Sequence, residues 1–221
     1  MRWLFVTISL LWALPVQAAS FDCAKASTEI EHAICNNPEL SRLDEEMAAA
    51  YRSIPKSNKY FENLQQDQKD WLRIDRSDDV QSFERRAKYL AAYASLSVCL
   101  NSSDNPEICH GVEENALDAC MSAGQYTTFA MDTCSAAMAE VWNSLLAVEV
   151  EEKRERLRDD PETLQLFDEA ALMFETYRDA ECGWRYSEYR DGTIRGQIWF
   201  GCYLDLTSRR TISAIQDNQL F

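Results

Sequence analysis

Phe21-Asp22-Cys23-Ala24-Lys25-Ala26-Ser27-Thr28-Glu29-Ile30-Glu31-His32-Ala33-Ile34-Cys35 is the stretch that decides the fold. Thr28-x-x-Glu31 has the form of a capping box, in which hydroxyl and carboxylate each take a backbone N–H of the first helical turn. The helix that follows ends near Cys35 and is too short to hold together alone. A disulfide between Cys23 and Cys35 would close that loop and add about 2–4 kcal/mol. Asn37-Pro38 then reads as an N-cap with proline in the first helical position. Leu40, Leu43, Met47, Ala50, Tyr51 and Ile54 follow as one apolar face at helical spacing.

Upstream, Met1-Arg2 supplies a short positive start, and an apolar run continues from Trp3 to Leu14. Pro15 breaks the run, and Val16-Gln17-Ala18 offers the compact residues a signal peptidase selects. We place the cut after Ala18, with Ala19 as the alternative. The run is shorter than the roughly 20 apolar residues a membrane anchor needs. Cys23 follows Ser20-Phe21-Asp22 rather than the small apolar residues of a lipobox, so a soluble periplasmic or secreted protein is expected.

Downstream, helical signals continue. Helices are predicted over about 60–75, with Phe61, Leu64, Trp71 and Leu72 inward, and over about 80–99, with Phe83, Ala87, Leu90 and Tyr93 or Ala94 inward. Asn101-Ser102-Ser103-Asp104-Asn105-Pro106 is polar and turn-rich, and reads as a linker. A long helix over about 127–157 carries Phe129, Met138, Trp142 and Leu145 or Leu146. Its end pairs Glu149 with Lys153 and Glu152 with Arg156 at i,i+4, the pattern of a solvated face. Asp160-Pro161 restarts a helix through Leu164, Phe167, Ala171, Phe174 and Arg178, and a last helix runs from about 193 towards 216. Trp71, Trp142, Phe167 and Phe174 are read as core.

An internal echo links the two halves. Met47, Tyr51, Ser53 and Ile54 match Met138, Trp142, Ser144 and Leu145 at one constant offset, and Phe61, Leu64 and Trp71 match Leu164, Phe167 and Phe174 at another. The fold class is therefore all-α, two small disulfide-stapled, bundle-like helical units in tandem. The division expected is a signal peptide at 1–18, a first unit at 19–100, a linker at 101–112 and a second unit at 113–221.

The opening segment, continued by Asn37-Pro38-Glu39-Leu40 and Leu43-Asp44 and then Tyr51, resembles the signature of the lysozyme inhibitor LprI-like family. Trp71-Leu72 fits that family's next element, although Asp75-Arg76 reverses its two charges and the cysteine after them is missing. Tyr177-Arg178-Asp179-Ala180-Glu181-Cys182, Gly192-Thr193-Ile194-Arg195, Gly201-Cys202 and Leu206-Thr207-x-x-Arg210-Thr211 resemble its later elements. The resemblance covers most of residues 21–217 as two divergent copies. It implies a periplasmic protein that binds and inhibits lysozyme, a cationic muramidase.

Cysteines stand at 23, 35, 99, 109, 120, 134, 182 and 202. In an oxidising compartment an even count reads as disulfides, and order and spacing favour nearest neighbours: 23–35, 99–109, 120–134 and 182–202. No CxxC pair is present, and His32 and His110 lie far apart, so no metal and no cofactor is expected. GxSxG, HExxH and a glycine-rich phosphate loop are all missing, and six glycines leave little room for tight active-site turns. No catalytic residue is assigned.

The formal charge is −15, and removing the signal takes away the single positive charge of Arg2 to give −16. Such a surface repels nucleic acid and anionic lipid and attracts cationic partners. Glu29, Glu31, Glu39 and Asp44, near the first disulfide, are candidate partner-binding residues, though the same positions suit helix N-termini. Trp184, Tyr186 and Tyr189, read as an aromatic, charged loop between Cys182 and Gly192, form a second candidate surface. The alternative function is a non-enzymatic envelope scaffold, or a stress- or secretion-associated module, built on the same helical domain.

Overall fold

The computed structural model describes residues 19–75 and 79–219. The expected signal stretch 1–18 and Arg76 lie outside them. Eight α-helices are formed among the described residues, and no strand: α1 (Glu29–Asn36), α2 (Pro38–Ser53), α3 (Phe61–Asp70), α4 (Val80–Ser102), α5 (His110–Ala123), α6 (Thr128–Leu157), α7 (Pro161–Glu188) and α8 (Arg195–Gln219). Their starts are set by local chemistry. The Thr28 hydroxyl and the Glu31 carboxylate form the complete capping box of α1. The Asn37, Asp79, Thr127 and Asp160 side chains accept N–H bonds at the heads of α2, α4, α6 and α7.

Four disulfides join Cys23 to Cys35, Cys99 to Cys109, Cys120 to Cys134 and Cys182 to Cys202. Each ties a helix to its neighbour in sequence. The expected linker is largely helical: α4 runs on to Ser102, Pro106–Cys109 forms a 3-10 turn, and α5 begins at His110. Pro106 and Cys109 are buried beneath that staple. Between α5 and α6 the chain passes Gln125 and Tyr126 in the left-handed region. A Cβ on Gly124 would lie 2.2 Å from that of Ala130, so only glycine permits this close turn.

Packing departs from the periodicity at several points. Beyond Asp70 the third helix widens into a π-helical turn over Trp71–Asp75, leaving Trp71 buried and Leu72 exposed. Phe129 is exposed because it lies in the first turn of α6, ahead of that helix's buried residues. Phe167 and Phe174 are half-buried rather than core, since α7 packs mainly on α8 and less on α6. The main core instead runs across both units, uniting Tyr60, Leu64, Leu90, Tyr93 and Leu96 with Val141, Trp142, Leu145, Ile212 and Ile215. A smaller cluster of Ala19, Ile30, Ile34, Leu40, Trp71 and Phe83 roots α1.

The largest correction concerns Glu149. Its side chain has no solvent exposure. It accepts the Tyr60 hydroxyl, the Lys59 ammonium at 2.6 Å and the Asn218 amide at 3.0 Å. Asn218 also bonds the Glu149 carbonyl, and Tyr93 donates to the Tyr60 carbonyl. A carboxylate is tolerated without water only when paired and hydrogen-bonded in this way. The i,i+4 spacing of Glu149 and Lys153 looks solvated, yet the partners that matter come from residues 59–60 and 218.

Two outcomes follow from this packing. Glu149→Ala strands the Tyr60 and Asn218 donors, and urea unfolding is expected to show a loss of about 3–5 kcal/mol. Glu152→Ala, at a partly exposed ion pair with Lys59 and Arg156, should cost under about 1 kcal/mol. Burial, reinforced by the carboxylates Glu149 and Asp67, pushes the Tyr60 and Tyr89 phenols far up. The unfolded chain releases those protons near pH 10 while the folded one keeps them. Stability is therefore retained below about pH 10 and falls as pH rises above it. Urea midpoints from pH 8 to 11 should record that fall, and Tyr89→Phe should make it shallower.

Candidate functional site

Two regions bring together the residues that composition marks for partner contact. At the first, the Cys23–Cys35 bridge holds a 3-10 turn over Cys23–Lys25 against α1, and Ile30 and Ile34 root α1 in the smaller core. The four acidic residues around this staple do different work. Glu31 Oε2 accepts the backbone N–H groups of Ser27 (2.7 Å) and Thr28 (3.1 Å) and the Ser27 hydroxyl. Asp44 is buried and accepts the Ser20 N–H at 2.6 Å. Glu29 is exposed in the first turn of α1. Glu39 is exposed and paired with Arg42, which holds its carboxyl below the usual range.

Glu31 and Asp44 thus fasten the incoming chain, and Glu29 and Glu39 remain at the surface. Beside them opens a cleft of about 420 Å³ whose lining includes Phe21, Asp44, Met47, Tyr51, Trp71 and Phe83. Its floor is apolar, and Arg52 and Lys69 stand among its lining residues. The π-helical turn at Trp71 forms part of its wall, the kind of helix irregularity that often accompanies a binding site.

The second region is the end of α7. Trp184 and Tyr186 do not lie in a loop: α7 continues to Glu188, and Tyr189 is its C-cap. The helix persists because the Cys182–Cys202 bridge pins it to α8 and Glu181 pairs with Arg185 one turn on. It stops at Tyr189, where the turn through Arg190-Asp191-Gly192 begins. Trp184 is about half exposed and donates its indole N–H to Glu181 at 2.9 Å. Tyr186 packs edge-on to Trp199, with the Arg195 guanidinium over its ring, and so belongs to the α7–α8 contact. Tyr189 is exposed.

One level inward, Arg178 is buried, donates to Asn143 of α6 at 3.0 Å and stacks 3.9 Å from the Tyr203 ring. It clamps α7 to both neighbours, while Asp179 beside it is largely exposed.

A pairing that sequence order hides lies under the Cys99–Cys109 staple. His110 Nδ1 sits 3.0 Å from Glu113, and its ring lies beside Trp142. Burial pushes the Glu113 carboxyl up, and His110 pulls against that shift. His110 opens α5 rather than lying in a loop. Its signal in the sequence is the i,i+3 spacing to Glu113, legible only once α5 is recognised as a helix. His32 is exposed on α1. All eight cysteines are in disulfides, and no described helix is long and apolar enough to cross a membrane.

Replacing Asp44 by Ala leaves the Ser20 N–H without its acceptor, at an expected cost of about 1–3 kcal/mol. Glu31→Ala removes half of the capping box and should cost about 1 kcal/mol. Glu29→Gln should leave the urea midpoint within experimental error. Equal midpoints for all three variants would contradict these assignments.

Comparison with known proteins places the chain. A family model described as lysozyme inhibitor LprI matches it twice, over residues 22–104 and 120–213. The first match holds the Cys23–Cys35 staple and the second holds Cys120–Cys134 and Cys182–Cys202. No curated protein and no solved structure matches the chain.

Proposed function

The chain belongs to the lysozyme inhibitor LprI family, in two tandem copies, and on that premise we propose that it is an exported, non-enzymatic protein that binds and inhibits a cationic lysozyme-type muramidase. The double family match is the observation that carries the reading. Charge supports it: at −15 for the whole sequence, the surface attracts a cationic enzyme and speeds encounter with it. Export fits the disulfides, which persist in oxidising compartments. Cleavage after Ala18 fits the way the fold takes hold of the chain at Ala19, which is buried, and at Ser20, which is bonded to Asp44.

In this reading the first copy, 19–100, and the second, 113–221, act as one rigid body, because the core and the Glu149 network cross between them. Rigidity favours inhibition, since less conformational freedom is lost on binding. Two exposed surfaces are candidates for the contact: Glu29 and Glu39 at the first staple, and Trp184 and Tyr189 at the end of α7.

A turnover assay on cell-wall substrate with purified, disulfide-intact mature protein tests the proposal. Lysozyme activity is expected to fall saturably at micromolar inhibitor and to recover as salt rises from 50 to 500 mM. Full activity at every concentration, with no complex detected at low salt, would reject inhibition and favour the envelope-scaffold reading.

A further inference from the structure

Helix α7 carries two apolar faces, and only one of them is used by the fold. Its inner face, with Phe167, Ala171, Phe174, Arg178 and Cys182, lies half-buried or buried. About a third of a turn round the helix from it, Leu166, Ala170, Met173, Tyr177, Ala180 and Trp184 are all exposed. Leu166 is 62%, Met173 65%, Tyr177 54% and Trp184 49% accessible. Their spacing alternates four and three residues, the repeat that keeps a seam on one side of a helix. At 1.5 Å per residue the stripe is about 27 Å long. A contiguous exposed apolar stripe of this length marks an interaction surface, and it ends on Tyr177 and Trp184, the residue types that anchor interfaces.

The charges beside the stripe identify what covers it. By helical position, Glu162 and Glu169 flank one side and Glu188 the other, while Glu181 on that second side is taken up by Arg185 and the Trp184 indole. Of the two cations on α7, Arg178 is buried and Arg185 is held by Glu181. A second copy of this chain would set acidic margins against acidic margins. A cationic surface with an apolar ridge complements both features.

We infer that the outer face of α7, from Leu166 to Trp184, is the surface on which the cationic partner docks, with Met173, Tyr177 and Trp184 as apolar anchors and the flanking glutamates as its acidic margin. This deepens the lysozyme reading and rests on it: the inhibitory contact lies on the second copy rather than at the first staple.

The test titrates the full mature, disulfide-intact protein with lysozyme by calorimetry. It compares the unaltered chain with Met173→Glu/Tyr177→Ser, Glu169→Lys/Glu188→Lys and Val98→Glu, the last at an exposed apolar residue of α4. The first pair is expected to weaken binding at least tenfold with an unchanged melting temperature. The charge reversal should weaken it and flatten its salt dependence, while Val98→Glu should match the parent. Parent-like affinity in the α7 variants, or equal loss in Val98→Glu, overturns the inference and leaves the lysozyme reading standing. No binding by the unaltered chain overturns both. Self-association in sedimentation velocity that Met173→Glu/Tyr177→Ser abolishes would show the face covered by a second copy, and would equally overturn the inference.

Discussion

A carboxylate with no access to water holds this molecule together. Glu149 stands on α6, the helix that packs on α4, α5, α7 and α8, and it gathers Lys59 and Tyr60 from the first copy and Asn218 from the end of α8. A buried charge is costly unless its bonds are complete, so these three donors must converge whenever the chain is folded. That requirement sets the register of the α2–α3 connection against α6 and α8. Asn58, bonded to the Ser97 carbonyl, and Tyr93, bonded to the Tyr60 carbonyl, fix the same connection from α4. Two copies of a small helical domain are joined into one body by polar bonds of strict geometry, with the apolar core closing around them.

The disulfides act at shorter range. Each closes a segment between consecutive elements, so none of them ties the first copy to the distant helices of the second. Staples stabilise the local pieces, and the Glu149 network with the shared core sets how those pieces meet. The division explains how two family-matched copies form one continuous interior.

Much of the architecture is legible from side chains that act on their own neighbours. Thr28, Asn37 and Asp160 announce helix starts because capping is local. The inner faces of α2 and α4 show in their spacing. What escapes reading depends on residues far apart in sequence. Glu149 shares its i,i+4 pattern with any solvated helix, and only Tyr60 and Asn218 reveal its burial. Helix α5 has no side-chain cap and a Gly at its second residue, and it follows directly on the 3-10 turn closed by Cys99–Cys109. At the candidate surfaces, Glu31 shows its backbone role in the capping box, whereas Asp44 looks like a free acidic group although the Ser20 N–H claims it. Two neighbouring stripes of α7 are apolar, and periodicity selects the inner one, so the outer stripe stands out only when burial is known.

On the proposed function, a rigid, acidic, doubly repeated body meets a cationic enzyme through a helix face its own fold leaves open. Hydrogen–deuterium exchange of the mature protein, alone and with saturating lysozyme, addresses that claim most directly. The account predicts slowed exchange along residues 161–188, with the α4–α6 core unchanged. Identical exchange with and without lysozyme, or protection confined to α1 and α2, would contradict it.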